Sequence, residues 1–430
     1  MTSPDSPIWH PFTQHALTPD FPLVTRGEGA WLHTALNDGS GAKLLDAISS
    51  WWVITHGHRH PRIVDAIKRQ ADKLDQVIFA GFTHQPAEDV AQGLLEIVPR
   101  SSGQEDLAHV FYSDSGSTAV EVALKMALGF WQAQLRPRTK IIALEHAYHG
   151  DTIGTMSTGA RGVFNAAYAP LLFDVVRLPF PHGGGRETLT ALAQAAPDAA
   201  ALIVEPLLLG AGGMKMYDAG ILRQMKALCE RHGALFIADE VMTGFGRTGT
   251  LFACEQAGIT PDIMCLAKGL TGGSLPLAVT LCTPAIFEAH YSTDRSRTFF
   301  HSSSFTANPI ACAAARANLD IWKSEPVRAR IAALARTQES HLAPLRADSR
   351  FENVRRLGTV TAMDLKVPDP GYLAGIAPGL SKFFLERGVL LRPLGNTIYV
   401  MPPYCVTAAE LALVYDAIRA AADRFCVTVP

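Results

Sequence analysis

The stretch 235–269, LFIADEVMTGFGRTGTLFACEQAGITPDIMCLAKG, decides the fold. Ala234–Val241 (ALFIADEV) and Ile263–Gly269 (IMCLAKG) are short apolar runs without helical periodicity, and they read as buried strands. Each run ends in charge, Asp239 and Glu240 in the first and Lys268 in the second. Working outward, HVFYS (109–113), KIIALEH (140–146), AALIVEP (200–206) and AVTLC (278–282) repeat the pattern. Helical stripes lie between them. Thr118–Gln134 carries Val120, Ala123, Leu124, Ala127, Phe130 and Trp131 at a 3.6-residue period. Ile221–Arg231 carries Ile221, Leu222, Met225, Leu228 and Cys229 and ends before Gly233, a residue suited to close a helix. This alternation predicts a largely parallel α/β sheet covered on both faces.

The flanks differ from this centre. Residues 1–50 read as irregular, with five prolines before residue 23 and one strand-like segment, EGAWLHT (28–34). Beyond about 310 helices dominate, at Pro309–Trp322 and Val327–Leu345. A second α/β unit follows, and a last helix opens at Thr407-Ala-Ala-Glu410, which has the spacing of a capping box. The expected organisation is a large domain over 51–320 and a small domain built from 1–50 and 321–430.

Composition narrows the function classes. At 430 residues, with 48% hydrophobic and 18% charged, the chain has room for a sizeable core and is not generally disordered. Lys+Arg 38 against Asp+Glu 40 gives a net charge of −2, which argues against a polyanion binder, so no nucleic-acid partner is expected. Seven scattered cysteines without a CxxC pair fit reduced thiols in a cytoplasmic protein. No apolar run resembling a secretory leader precedes Arg26. The uncharged stretch 269–287 is interrupted by Pro276 and Pro284, so no membrane span is expected.

Three features carry chemistry. Ser113-Asp-Ser-Gly-Ser117 lies between a strand and a helix, where free N–H groups and the helix dipole make a phosphate cup, although such a turn alone is more often an ordinary N-cap. Asp239 ends a buried strand, where α/β sheets place ligand groups, although a single acid there is often a turn residue. Lys268 ends another; desolvation there would leave its amine neutral and nucleophilic, although an isolated lysine is more often on the surface. Together they match pyridoxal 5′-phosphate (PLP): phosphate on the helix, carboxylate on the pyridine nitrogen, lysine holding the aldehyde as an imine. Gly244-Phe-Gly-Arg-Thr-Gly249 satisfies GxGxxG but does not stand at a strand end, so a dinucleotide site is set aside. His56-x-His58-x-His60 flanks a turn into a helix, and His146 and His149 lie beside Tyr148; neither set is read as a metal site, and no metal is expected.

The stretch from Leu235 to Leu277, with its Asp-Glu-Val, Gly-x-Gly-Arg-Thr-Gly, Pro-Asp and Lys-Gly…Gly-Gly elements, resembles the signature of class III aminotransferases, which are fold type I PLP enzymes. Ile8-Trp-His-Pro11, Ser49-Ser-Trp-Trp52, Tyr148-His-Gly-Asp151, Glu205-Pro206, Gly210-Ala-Gly-Gly-Met214 and Arg392-Pro393 followed by Met401-Pro-Pro-Tyr404 resemble the biotin-pathway branch of that class. The resemblance runs essentially end to end. It implies ping-pong transfer of an amino group from S-adenosylmethionine to 8-amino-7-oxononanoate, giving 7,8-diaminononanoate. Lysine as donor, or an ω-amino acid:pyruvate or 2-oxoglutarate aminotransferase, is the alternative.

The resemblance also implies roles. Lys268 binds the aldehyde and shuttles the proton, Asp239 partners the pyridine nitrogen, and Tyr148 stacks on the ring. Gly116 and Ser117 hold the phosphate, which Ser303 and Ser304 of a neighbouring subunit complete, so a homodimer is implied. Phe12, Trp51, Trp52, Tyr148, Lys268 and Ser302 contact substrate, and Arg392 grips its carboxylate as a bidentate fork. The chain departs from the pattern at three places: Ser302-Ser-Ser304 stands for Gly-Pro-Thr, Phe12 for tyrosine and Leu209 for glutamine. These bear on the donor more than on the reaction.

Overall fold

Burial along the strands alternates between two apolar clusters, and this explains why the apolar runs form a sheet covered on both faces. The computed structural model describes residues 6–17, 21–35 and 41–426. The parts of the 1–50 and 321–430 assignment at 1–5, 18–20, 36–40 and 427–430 lie outside the described residues. In chain order the strands are β1 (Leu23–Glu28), β2 (Trp31–Ala35), β3 (Gly41–Asp46), β4 (His109–Ser113), β5 (Lys140–Leu144), β6 (Val176–Leu178), β7 (Ala199–Val204) and β8 (Leu208–Leu209). There follow β9 (Lys215–Met216), β10 (Leu235–Asp239), β11 (Ile263–Leu266), β12 (Ala278–Cys282), β13 (Phe351–Leu357), β14 (Val360–Leu365), β15 (Val389–Leu390) and β16 (Thr397–Val400).

Seven strands form the central sheet in the order β4-β12-β11-β10-β7-β5-β6. Along β10, Phe236 and Ala238 enter one apolar cluster while Leu235 and Ile237 enter the other. Helix Gly116–Ala133 covers the second face through Ala119, Val120 and Ala123. Helices Gln85–Ile97, Ala219–His232 and Pro309–Ser324 supply the first face. The expected largely parallel α/β sheet is present: six of its seven strands run the same way, and β12 runs antiparallel to its neighbours β4 and β11. Only a short 3-10 turn at Lys268–Thr271 separates β11 from β12, too little for a parallel crossover.

The helix ends follow their caps. Helix Gly116–Ala133 starts two residues earlier than its apolar stripe, because Ser115 and Thr118 form a reciprocal capping box. Thr407 and Glu410 do the same for Ala408–Phe425. Ala219–His232 ends on Gly233 in the left-handed conformation, φ 72°.

Residues 1–50 are more regular than their sequence suggests: β1, β2 and β3 form an antiparallel meander, with β15 added parallel to β3. β1 is mostly exposed and carries a register shift, so it lacks the clean alternation that marks a strand. β13, β14 and β16 make a separate antiparallel sheet. A third apolar cluster joins these strands to helices Val327–Ala347, Ala377–Glu386 and Ala408–Phe425. Among the described residues no helix is long and apolar enough to cross a membrane.

Candidate active site

Carboxyl ends of neighbouring strands converge on one cavity of about 470 Å³. The last residue of β10 is Asp239, Glu205 follows β7, and Lys268 lies two residues beyond β11; all three line this cavity. The chain after β5 brings in Tyr148 and His149, and the chain after β4 brings in Gly116 and Ser117.

Asp239 and its neighbour Glu240 have opposite fates. Asp239 faces the cavity, with His149 Nδ1 2.7 Å from its Oδ2 and the Val241 amide donating to its Oδ1 at 3.1 Å. Glu240 points away and accepts from the amides of Ala253 and Cys254 and from the Thr243 hydroxyl, so it holds a loop and stays out of the site. Glu205 accepts from the amides of Tyr148 (3.0 Å) and Gly210 (2.9 Å); burial pushes its carboxyl up to about 7.

Lys268 has its Nζ 4.7 Å from the centroid of the Trp52 ring. Burial lowers its pKa to about 8, against the pull of Asp239 and Glu205, so about a tenth of the amine is neutral at pH 7, far more than for an ordinary lysine. Its backbone is left-handed, φ 46°, a strain of about 1–3 kcal/mol that its surroundings must hold.

The cup at the start of helix Gly116–Ala133 is shaped by close approach. The capping box engages Thr118, while the first amides of a helix have no partner inside it. A Cβ on Gly116 would stand 2.6 Å from Val241 Cγ1, and one on Gly150 would stand 2.0 Å from Ser117 Oγ. The Asp151 amide donates to Ser117 Oγ at 3.3 Å, and the Tyr148 hydroxyl donates to the Asp151 carboxylate at 2.8 Å. Burial and that carboxylate both push the phenol up.

The walls come from loops far apart in the chain. Trp51 (42% exposed) presents its ring to Arg392, whose guanidinium lies 5.2 Å from the ring centroid. Arg392 Nη2 also donates to the Phe12 carbonyl at 2.9 Å, and the Phe12 ring meets Trp51 edge-on at 5.6 Å. Trp52 is buried and donates to the Tyr399 hydroxyl at 2.9 Å. Phe164 closes the side of the cavity, 4.5 Å from Tyr372 and 6.4 Å from Tyr148.

Nine residues singled out in the sequence therefore line one cavity: Lys268, Asp239, Tyr148, Gly116, Ser117, Phe12, Trp51, Trp52 and Arg392. Ser302, Ser303 and Ser304 are not among its lining; Ser303 hydrogen-bonds Asp114 of the same chain, and the Ser304 carbonyl accepts from Gln76. Of the lining residues that were not singled out as site residues, four bear most on the chemistry and the walls: Glu205, His149, Phe164 and Tyr372. Glu205 obeys the strand-end rule that marks Asp239, and His149 adjoins Tyr148. Phe164 and Tyr372 sit on irregular segments without a pattern. The three histidines at 56, 58 and 60 bond separately to Asn318, Asp46 and Glu325. Among the described residues no group of three His, Cys, Asp or Glu is placed to hold a metal ion.

A family model described as aminotransferase class-III matches residues 13–422. The adenosylmethionine-8-amino-7-oxononanoate aminotransferase of Synechococcus elongatus is 47% identical, covering 97% of this chain and 98% of its own. The crystal structure of the like-named aminotransferase from Methanocaldococcus jannaschii superposes with a TM-score of 0.91 at 34% identity, covering 98% of each chain. An amine transaminase from an uncultivated Pseudomonas species, solved with PLP, gives 0.88 at 33% identity, covering 98% of this chain and 99% of its own.

Proposed function

The chain belongs to the class-III aminotransferases, and from that premise we propose that it transfers an amino group from S-adenosylmethionine to 8-amino-7-oxononanoate with PLP as cofactor. One observation carries the reading: a depressed lysine amine, a buried carboxylate and an open helix N-terminus share one cavity. The residues fit PLP. Gly116 and Gly150 leave room at the helix N-terminus for a phosphate, which the amides of 116 and 117 and the Ser117 hydroxyl would hold. Asp239 would keep a pyridine nitrogen protonated, with His149 fixing the carboxylate. Lys268 would bind the aldehyde, and the Tyr148 ring would lie against the cofactor.

The bound cofactor supplies an electrophilic carbon and an electron sink. The chain supplies the rest. Lys268 Nζ takes the proton from the amino-bearing carbon of the donor and later returns one to the acceptor. Arg392 orients each substrate by its carboxylate. The aromatic wall of Trp51, Phe164 and Tyr372 keeps water from the reacting carbon and suits a long apolar acceptor. One cavity then serves donor and acceptor in turn, which is ping-pong order.

Several finer assignments belong to the same reading. The large unit is taken as 51–320 and the small one as 1–50 with 321–430, supported by the central sheet and the two apolar clusters on its faces, whose buried members all fall within 51–320. A homodimer is supported by exposed Trp9, Ile78, Phe82, Phe300 and Phe305, with Ser302–Ser304 of one subunit completing the partner's phosphate site. A cytoplasmic setting is supported by seven unpaired cysteines, five of them buried.

Phe12 carries no hydroxyl beside Arg392, which keeps lysine as the second donor to test. S-adenosylmethionine, lysine and a small ω-amine are each added to the holoenzyme without acceptor while the cofactor's absorbance is followed. Loss of the long-wavelength band with S-adenosylmethionine and its return on adding 8-amino-7-oxononanoate is expected. A response to lysine alone would move the donor, and a response only to the ω-amine without recovery would overturn the substrate assignment.

A further inference from the structure

The turn Ser49–Trp52 that carries both tryptophans is strained, with φ of 55°, 58° and 66° at Ser49, Ser50 and Trp52. Three left-handed non-glycine residues in four persist only where the surroundings over-determine them. Asp46, its side chain wholly buried, accepts from the Ser50 amide at 2.8 and 2.7 Å, from the Ser50 hydroxyl at 3.2 Å and from the Ile48 amide at 3.3 Å. His58 Nε2 lies 2.8 Å from the same carboxylate. The strained Lys268 turn has a matching support. Asn318, also fully buried, donates to the carbonyls of Gly269 and Leu270, both at 2.9 Å, and its Oδ1 lies 2.8 Å from His56 Nε2.

His56 and His58 belong to one loop, and Gly57 between them (φ 98°) lets it turn so that each ring serves a different side of the cavity. The loop is itself fixed: the Thr55 amide donates to the Gly272 carbonyl at 3.3 Å, and the Thr55 carbonyl accepts from the Tyr404 amide at 2.8 Å. A Cβ at Gly273 would stand 2.5 Å from the Val53 carbonyl oxygen, so the loop and the turn after Lys268 meet backbone to backbone.

We propose that the His56-Gly-His58 loop is a two-armed brace made of positioning residues, His56 acting through Asn318 on the Lys268 turn and His58 acting through Asp46 on the Trp51–Trp52 turn. It rests on the roles given above to Lys268 and the tryptophans, and adds that reactivity and substrate fit are set by separable arms of one loop.

The arms can be told apart. Asp46→Asn should lower hydrogen-exchange protection of the amides at 48–53 in the cofactor-free chain by about tenfold or more, leaving 268–272 unchanged. In the holoenzyme it should raise the acceptor KM by roughly tenfold while the pH midpoint of the bound cofactor's absorbance stays put. Asn318→Ser should do the converse: protection falls at 268–272, the absorbance midpoint moves by about half a unit or more, and KM holds. His58→Gln and His56→Gln repeat each arm from the other side of its hydrogen bond, so one misfolded variant leaves neither arm untested. If either variant moves both sets of readouts equally, or neither, the brace is overturned. Should the substrates themselves be wrong, the wild type would fail to turn over, while the exchange readout would still decide the brace.

Discussion

The floor and the mouth of the cavity are built by different means. The floor is contributed by the ends of β4, β5, β7, β10 and β11, of which all but the edge strand β4 are paired on both sides, in a sheet packed on both faces by helices. The mouth is contributed by Phe12, Trp51, Phe164, Tyr372 and Arg392, all on loops and turns. A rigid sheet holds groups whose geometry the chemistry cannot relax, while loops hold groups whose identity sets what is accepted. The difference predicts that floor changes alter turnover and mouth changes alter affinity and choice.

The most severe test is Lys268→Ala. Turnover should fall by on the order of 10³-fold or more, with the cofactor still retained by the phosphate cup; rapid turnover by a lysine-free floor would break the division. Next is Arg392→Lys, which keeps the charge but loses the fork. Its effect should appear as a rise of roughly 10–100-fold in KM for the carboxylate-bearing acceptor, with little change in kcat. A kcat effect of equal size would place this mouth residue with the floor.

A stability measurement reaches the loop between the two regions. Burial lowers His56 to about 4, so between pH 6.5 and 4 the unfolded chain takes up a proton that the folded chain refuses. The folded state is therefore fully favoured above pH 6.5 and loses up to about 3 kcal/mol as pH falls toward 4. The melting temperature of His56→Gln should fall less steeply over that range than that of the wild type. The smallest effect is expected from Phe12→Tyr, a few-fold change in relative rate with S-adenosylmethionine and lysine, because the ring is half exposed and only a hydroxyl is added.

The floor was legible in the sequence because its positions obey a rule. Asp239 and Lys268 end apolar runs, and the Ser115–Thr118 capping box fixes where the helical cup begins. Glu205 obeys the same rule. His149 is hidden by company: a histidine beside a tyrosine carries no spacing that says which one a carboxylate will choose, and only the fold brings Asp239 to 2.7 Å. At the mouth, Trp51, Trp52 and Arg392 were reached through resemblance alone, and Phe164 and Tyr372 carry no periodicity to read. β1–β3 were partly missed because half-exposed strands blur the alternation, and the reversal of β12 was missed although its short connection encodes it.

The pairing of β3 with β15 sets Leu45 and Leu390 on adjoining strands, each a few residues short of the Trp51 turn and of Arg392. On a ribosome these two strands emerge more than three hundred residues apart, and a contact of such separation closes late. The floor strands, by contrast, are complete once Cys282 has left the tunnel. The chain thus assembles the floor of the cavity first, and more than a hundred further residues, from Cys282 to Val389, must emerge before the mouth can close over it.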